Sequence, residues 1–292
     1  MTGWNMFRFT FVRGLKTGGA WKAIRAAKEA KVVGELFDGL QAKFDSRLYV
    51  KASQLNQLLD NCETTEDFDL AVKAVRGFRK SLSKPRESTG SVFVRASCRV
   101  GAPEKALEII RDKLQYGIFP TRSGFNMIMK EFLKLKDYDN AIRTFDQMIE
   151  NDEIKPSAQS YHLAIQALCM KETTDDYRRA IQLAKKSSKD SIKLLERTHH
   201  CLAAAACRQE DPDTCIEMIA GLYTQAAAGL EIRALTVKGD YEKAIQKLVD
   251  VSVNFKTPAK TLDGLMKAVE ESGIDSLKTA LHEAIELKSQ KN

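Results

Sequence analysis

The sequence is poor in proline, histidine and tryptophan, with six, four and two of them in 292 residues. So few prolines, beside many Ala, Leu, Lys and Glu, leave most of the chain free to be helical. No apolar run approaches the roughly 18 residues that cross a bilayer as a helix, so no membrane span is expected. The six cysteines (Cys62, Cys98, Cys169, Cys201, Cys207 and Cys215) contain no CxxC pair. In a chain this long they do not suggest a secreted disulfide scaffold, and a reducing compartment fits better. There is no phosphate-binding Walker loop, no dinucleotide glycine pattern and no nuclease carboxylate cluster that stands out from helix-surface acids. His162, His199, His200 and His282 have no nucleophile at a motif spacing. His199, His200, Cys201, Cys207 and Cys215 fit no standard zinc spacing. No enzyme, cofactor or metal is therefore expected.

Acid is also missing where the chain begins. No Asp or Glu precedes Glu29, while Arg8, Arg13, Lys16, Lys22, Arg25 and Lys28 alternate with apolar residues from Trp4 to Ile24. A basic, acid-free, apolar-interleaved start reads as a mitochondrial targeting segment over 1–30, leading to the matrix, with 31–51 a helical lead-in. The competing reading is a basic helix that stays on the protein and touches RNA or a partner. Residues 1–51 hold ten Lys/Arg and four Asp/Glu, or +6 of the formal +7. A second excess lies at 73–99, where Lys73, Arg76, Arg79, Lys80, Lys84, Arg86, Arg95 and Arg99 face Glu87 alone. Such a cluster can neutralise several phosphates and make binding salt-sensitive. The later part of the chain is nearly neutral, which places RNA contact toward the N-terminal repeats and protein docking toward the C-terminal ones.

What the chain has instead is a repeat. Asp137-Tyr138-Asp139-Asn140-Ala141-Ile142, Asp176-Tyr177-Arg178-Arg179-Ala180-Ile181 and Asp240-Tyr241-Glu242-Lys243-Ala244-Ile245 share one pattern. With the small residue as anchor the series is Ala71, Ala106, Ala141, Ala180, Cys215, Ala244 and Ala280, at steps of 35, 35, 39, 35, 29 and 36. Pro85, Pro120, Pro156 and Pro258 fall 14 or 15 residues after an anchor, and Pro103 and Pro212 three before one. Proline is tolerated in connections and in the first helical turn, so it marks the boundaries of a two-helix unit. Phe125, Ile128, Met129, Phe132 and Leu133 share one face of a first helix, and Ala141, Ile142, Phe145 and Met148 one face of a second. Residues 52–292 therefore read as an all-α solenoid of stacked helix-turn-helix units.

The connections narrow the choice. Tyr116-Gly117-Ile118-Phe119-Pro120-Thr121 leads into Gly124-Phe125-Asn126-Met127, and Ile154-Lys155-Pro156-Ser157 into Ser160-Tyr161-His162-Leu163. A Gly-Ile-x-Pro closing followed by an aromatic-Asn opening resembles the pentatricopeptide-repeat (PPR) family. The resemblance covers about 52–290 and is closest over Phe125–Ser157. Cys98, Cys169 and Cys207 share a slot late in the first helix where PPR units often carry cysteine, so they read as small buried residues.

The resemblance implies a right-handed superhelical α-solenoid whose first helices line a trough for single-stranded RNA, one base per repeat, read by two side chains. Matched residue by residue, the readers are Asn56 with Arg86, Ser91 with Thr121, and Asn126 with Ser157, while His162 opens a unit lacking its closing proline. Asn126 with Ser157 implies a pyrimidine. Arg86 and Thr121 depart from the usual Asp or Asn, so their bases stay unassigned. Asn and Ser at helix starts also serve as caps, an alternative for each of these residues. The implied function is non-enzymatic: binding of single-stranded mitochondrial RNA for mRNA processing, stability or translation, alongside RNA-processing proteins. Leu114–Pro120 also resembles the PPR-type protein of the mitochondrial small ribosomal subunit, which implies a structural role there as the alternative.

Overall fold

A computed structural model of the chain describes residues 18–81, 87–118, 121–151, 154–252 and 259–289. Regular structure among them is entirely helical. The chain divides into two units, Met1–Phe119 and Pro120–Asn292.

In the first unit α1 (Gly18–Asp45) precedes the pair α2 (Ala52–Asp60) and α3 (Thr65–Lys80). The next pair is α4 (Glu87–Arg99) and α5 (Pro103–Arg111), followed by the single turn α6 (Lys113–Tyr116). α1 runs continuously through position 30/31, where the sequence suggested a boundary, and residues 1–17 of the expected targeting segment lie outside the described residues. Thr64 starts α3 with a capping box: its hydroxyl accepts from the Asp67 amide, and the Asp67 carboxylate accepts from the Thr64 amide, both at 3.1 Å. Leu55, Leu58, Phe68, Val75, Phe78 and Phe93 fill the core, with the Phe68 and Phe93 ring centres 5.1 Å apart.

The second unit has five pairs. They are α7 (Arg122–Lys134) with α8 (Tyr138–Glu150), α9 (Ala158–Lys171) with α10 (Thr174–Lys189), α11 (Glu196–Arg208) with α12 (Pro212–Ile219), α13 (Gln225–Lys238) with α14 (Tyr241–Ser252), and α15 (Ala259–Ser272) with α16 (Asp275–Ser289). First helices pack on first helices, α7 on α9, α9 on α11, α11 on α13 and α13 on α15. Phe125, Ile128, Met129 and Phe132 of α7 are buried against Ala141, Phe145 and Met148 of α8, while Leu133 is half-buried. Truncating one of these phenylalanines to Ala would cost about 3–5 kcal/mol.

The repeat frame survives in detail. Ala71, Ala106, Ala141, Ala180, Cys215 and Ala244 are fully buried on the second helix of their pairs. Ala280 is the exception. On α16 the buried stripe is Leu277, Leu281 and Ala284, so Ala284 takes the anchor's place and Ala280 is half-buried. Pro103 and Pro212 open α5 and α12, where a missing amide hydrogen costs nothing. Pro85, Pro120 and Pro258 lie outside the described residues. The long 39-residue step has a local cause: α10 is capped by Thr173, which puts Asp176 at the third helical position, whereas the equivalent Asp137 is itself the cap of α8.

Six of the intra-pair turns contain one left-handed residue: Gly101, Lys136, Glu172, Glu210, Gly239 and Gly273, with φ between 54° and 81°. This is the left-handed stop that reverses the chain after a helix. Between repeats the chain is tied by side chains. Arg99 of α4 donates to the Leu59 and Cys62 carbonyls at 2.8 Å, and Arg208 of α11 donates to the Cys169 carbonyl at 2.7 Å. Each cation thus covers carbonyls at the C-terminal end of the preceding first helix. The tyrosine of one Asp-Tyr string also bridges two repeats, because Tyr177 Oη donates at 2.8 Å to Asp211, the cap of α12.

Candidate nucleic-acid interface

A groove of about 630 Å³ runs over the first helices of the second unit. Asn126, Lys130 and Lys134 reach it from α7, Gln159, His162 and Gln166 from α9, and Arg197 from α11. No acidic residue lines it. Spacings of four along α7, and of three and four along α9, put these side chains on one helical face. The groove thus offers Lys130, Arg197, amides and one imidazole to a single occupant, while Lys134 is paired with Glu131 at 2.6 Å and Arg197 donates to Gln159 Oε1.

Asn126 is half-buried on the second turn of α7, and its Oδ1 is buried with no hydrogen-bond partner. Asn56 of α2, its repeat equivalent in the first unit, is also half-buried with a buried, unpartnered Oδ1. Neither asparagine is a cap. An unsatisfied buried amide costs about 1–3 kcal/mol, which a ligand able to pair with the amide would offset. His162 is buried, and its Nδ1 sits 3.1 Å from Thr198 Oγ1. Burial, with the nearby Arg197 charge adding to it, pushes the imidazole down to about 4. The ring is therefore neutral at pH 7 and offers one donor and one acceptor nitrogen.

The predicted partners of these residues sit differently. Thr121 and Ser157 are helix caps: Thr121 Oγ1 accepts from the Gly124 amide at 3.2 Å and Ser157 Oγ from the Ser160 amide at 3.3 Å. They lie two residues before the first groove-lining residues of their helices, Ser123 and Gln159, rather than in the lining. Ser91 is half-buried on α4. Lys84 and Arg86 lie outside the described residues.

The basic cluster of 73–99 does not act as one surface. Lys73, Arg76 and Lys80 line a pocket of about 750 Å³ beside α1, on the second-helix layer of the first unit. Arg79 and Arg95 are on α3 and α4 and do not line it. Arg99 is occupied by the carbonyls of α2 and lies 3.7 Å from Glu63. Arg76 Nε donates to Tyr116 Oη at 2.8 Å, with the guanidinium carbon 4.9 Å from the ring centre.

Burial pushes Cys62 and Cys169 up to about 12. Cys215 is raised by its contact with Cys207 Sγ, 3.1 Å away, and by burial, and the same contact lowers Cys207. Cys169 and Cys207 are buried, as the shared slot suggested, and Cys98 is half-buried. Among the described residues no group of three or more His, Cys, Asp or Glu is placed to hold a metal ion. No described helix is long and apolar enough to cross a membrane.

The profile of the family "Mitochondrial 28S ribosomal protein S27" matches residues 16–217. The chain belongs to this S27 family. The S27-family chain is also similar to "Pentatricopeptide repeat-containing protein 2, mitochondrial" from Mus musculus, 27% identical over 141 residues, covering 47% of this chain and 36% of that protein. The Danio rerio protein of that name is 22% identical over 230 residues, covering 76% and 59%. The S27-family chain thus spans roughly a third to three fifths of the relatives it matches. Among solved structures it is similar to the pentatricopeptide repeat protein PPR10 in complex with an 18-nt psaJ RNA element. There the TM-score is 0.56 at 15% identity, covering 90% of this chain and 42% of that one. The fold is the PPR-type α-solenoid.

Sequence reasoning missed Lys130, Lys134, Gln159, Gln166 and Arg197. The signal was present for some of them. Lys130 and Lys134 follow Asn126 by one and two helical turns, and Arg197 follows His162 by 35 residues. The missing proline before α11 hid that last register.

Proposed function

We propose that this S27-family chain is a non-enzymatic RNA-binding protein of the mitochondrial matrix. It holds single-stranded transcript RNA in the groove over its first helices, for processing, stability or translation of mitochondrial mRNA. The observation that carries this reading is the unpartnered amide oxygen of Asn126 in a groove lined by Lys130 and Arg197 and by no acid. Asn126 reads a base edge, with the neutral His162 and the groove amides serving its neighbours. Lys130 and Arg197 meet phosphates. Asn56 and Ser91 take the equivalent role in the first unit, and Ser157 and Thr121 add their hydroxyls from the cap positions. The mitochondrial names of the relatives and the RNA-bound solenoid it is similar to support the same reading.

The test is binding of a preferred RNA and a scrambled one, selected on the wild-type chain. Asn126→Ala should lower affinity for the preferred RNA more than for the scrambled one. Equal loss on both would remove base reading.

A second reading is favoured by the family match over residues 16–217. In it the chain is a structural protein associated with the mitochondrial small ribosomal subunit. Crosslinking with sequencing in mitochondria separates the two. A few mRNA sites favour the first, whereas ribosomal RNA alone, with small-subunit co-sedimentation, favours the second.

A further inference from the structure

The pocket between α1 and α3 holds an arrangement that charge counting does not show. Lys73, Arg76 and Lys80 recur at steps of three and four along α3, so one face of that helix presents all three toward α1. Arg47, just past the end of α1, joins them. Against these four cations the lining contains one acid, Asp45, which accepts from the Gln41 amide at 2.8 Å. Among the described residues Arg47, Lys73 and Lys80 form no ion pair.

Arg76 is the informative member. A structural arginine is ordinarily held by a carboxylate that cancels its charge. Here both the hydrogen bonds and the ring contact come from Tyr116, a neutral phenol. The guanidinium is therefore fixed in place with its charge uncompensated, as an anion receptor requires. The floor is equally specific. A Cβ on Gly77 would lie 2.6 Å from the Phe44 ring, so glycine lets α1 seat closely on α3.

We propose that this pocket is a sequence-independent cradle for the RNA phosphodiester backbone, separate from the base-reading groove. It lies on the second-helix layer and is completed by α1. Lys73 and Lys80 are two turns, about 10.5 Å, apart along α3, a span that takes more than one phosphate of a strand. An acidic polypeptide is disfavoured because docking peptides bring apolar anchors, and the apolar lining here is Phe44 already seated on Gly77. The proposal rests on the reading that the chain binds RNA, and its test isolates backbone contact from base reading.

The full chain is titrated with a mixed-sequence 20-base-pair RNA duplex, whose paired bases Asn126 cannot read, between 50 and 200 mM salt. Lys73→Gln with Lys80→Gln removes two charges from the pocket, and circular dichroism checks the fold. The salt slope should fall by about 1 to 2, with at least a roughly fivefold loss of affinity at 50 mM salt. Arg47→Gln should act in the same direction. If Asn126→Ala leaves single-strand discrimination unchanged while the lysine pair lowers the duplex slope, base reading fails and the cradle stands. An unchanged slope in the lysine pair overturns the cradle, as does absence of duplex binding. So does displacement of the duplex by poly-glutamate at equal charge, an outcome that assigns the pocket to an acidic polypeptide.

Discussion

Arg208 Nη2 donates to the carbonyl oxygen of Cys169 at 2.7 Å, bridging the ends of α11 and α9. In the first unit Arg99 does the same for Leu59 and Cys62. Removing either side chain leaves charged-group hydrogen bonds to helix-end carbonyls unmade. Arg208→Ala and Arg99→Ala should each lower stability by about 1–3 kcal/mol, read as a urea midpoint shift at constant slope. Lysine should restore little at position 99, because one ammonium cannot reproduce the fork that holds two carbonyls.

His162 sets a pH response. Its proton affinity is lower in the folded chain, about 4, than the ordinary value near 6.5. Between those two values the unfolded chain binds more protons, so stability falls as pH drops through that window. At pH 5 the loss from this residue is about 2 kcal/mol relative to pH 7. His162→Gln should show a smaller loss between pH 7 and 5 in urea titrations. His199, also lowered chiefly by burial, supplies a residual dependence in both proteins.

Lys136 occupies the left-handed turn between α7 and α8, at φ 59°. Glycine has no steric cost there, as Gly239 illustrates in the turn between α13 and α14. Lys136→Gly should raise stability by about 0.5–1 kcal/mol, measured as an increase in thermal midpoint.

Gly77 is the opposite case. Gly77→Ala pushes against the Phe44 ring and should loosen α1 from α3 at a cost of about 1–3 kcal/mol. Limited proteolysis should then cut within α1 faster than in wild type, with α7–α16 unaffected.

Most of the helix pairing was legible because two constraints coincide at each anchor. A small residue must sit where the helices of a pair approach, and proline can stand only at their ends. Ala141 and Ala244 follow from that alone. Ala280 misled because α16 has another alanine one turn later, and only packing of Leu277 and Leu281 decides which turns inward. Part of the groove was legible, since Asn126 and His162, two of the residues expected along one trough, reach it from adjacent first helices. The charges were not. Counting cations at 73–99 cannot tell Arg99, turned onto backbone carbonyls, from Lys73, turned to a pocket beside α1. That difference depends on partners 37 to 40 residues away for Arg99 and on a preceding helix for Lys73. Local sequence holds neither.

The ties made by Arg99, Arg208 and Tyr177 each reach one repeat away. Order in such an array is passed hand to hand, and among the described residues these ties join neighbouring repeats. Melting should begin at a free end and advance pair by pair like a zip. A weakened tie in the middle would split that advance into two separate steps.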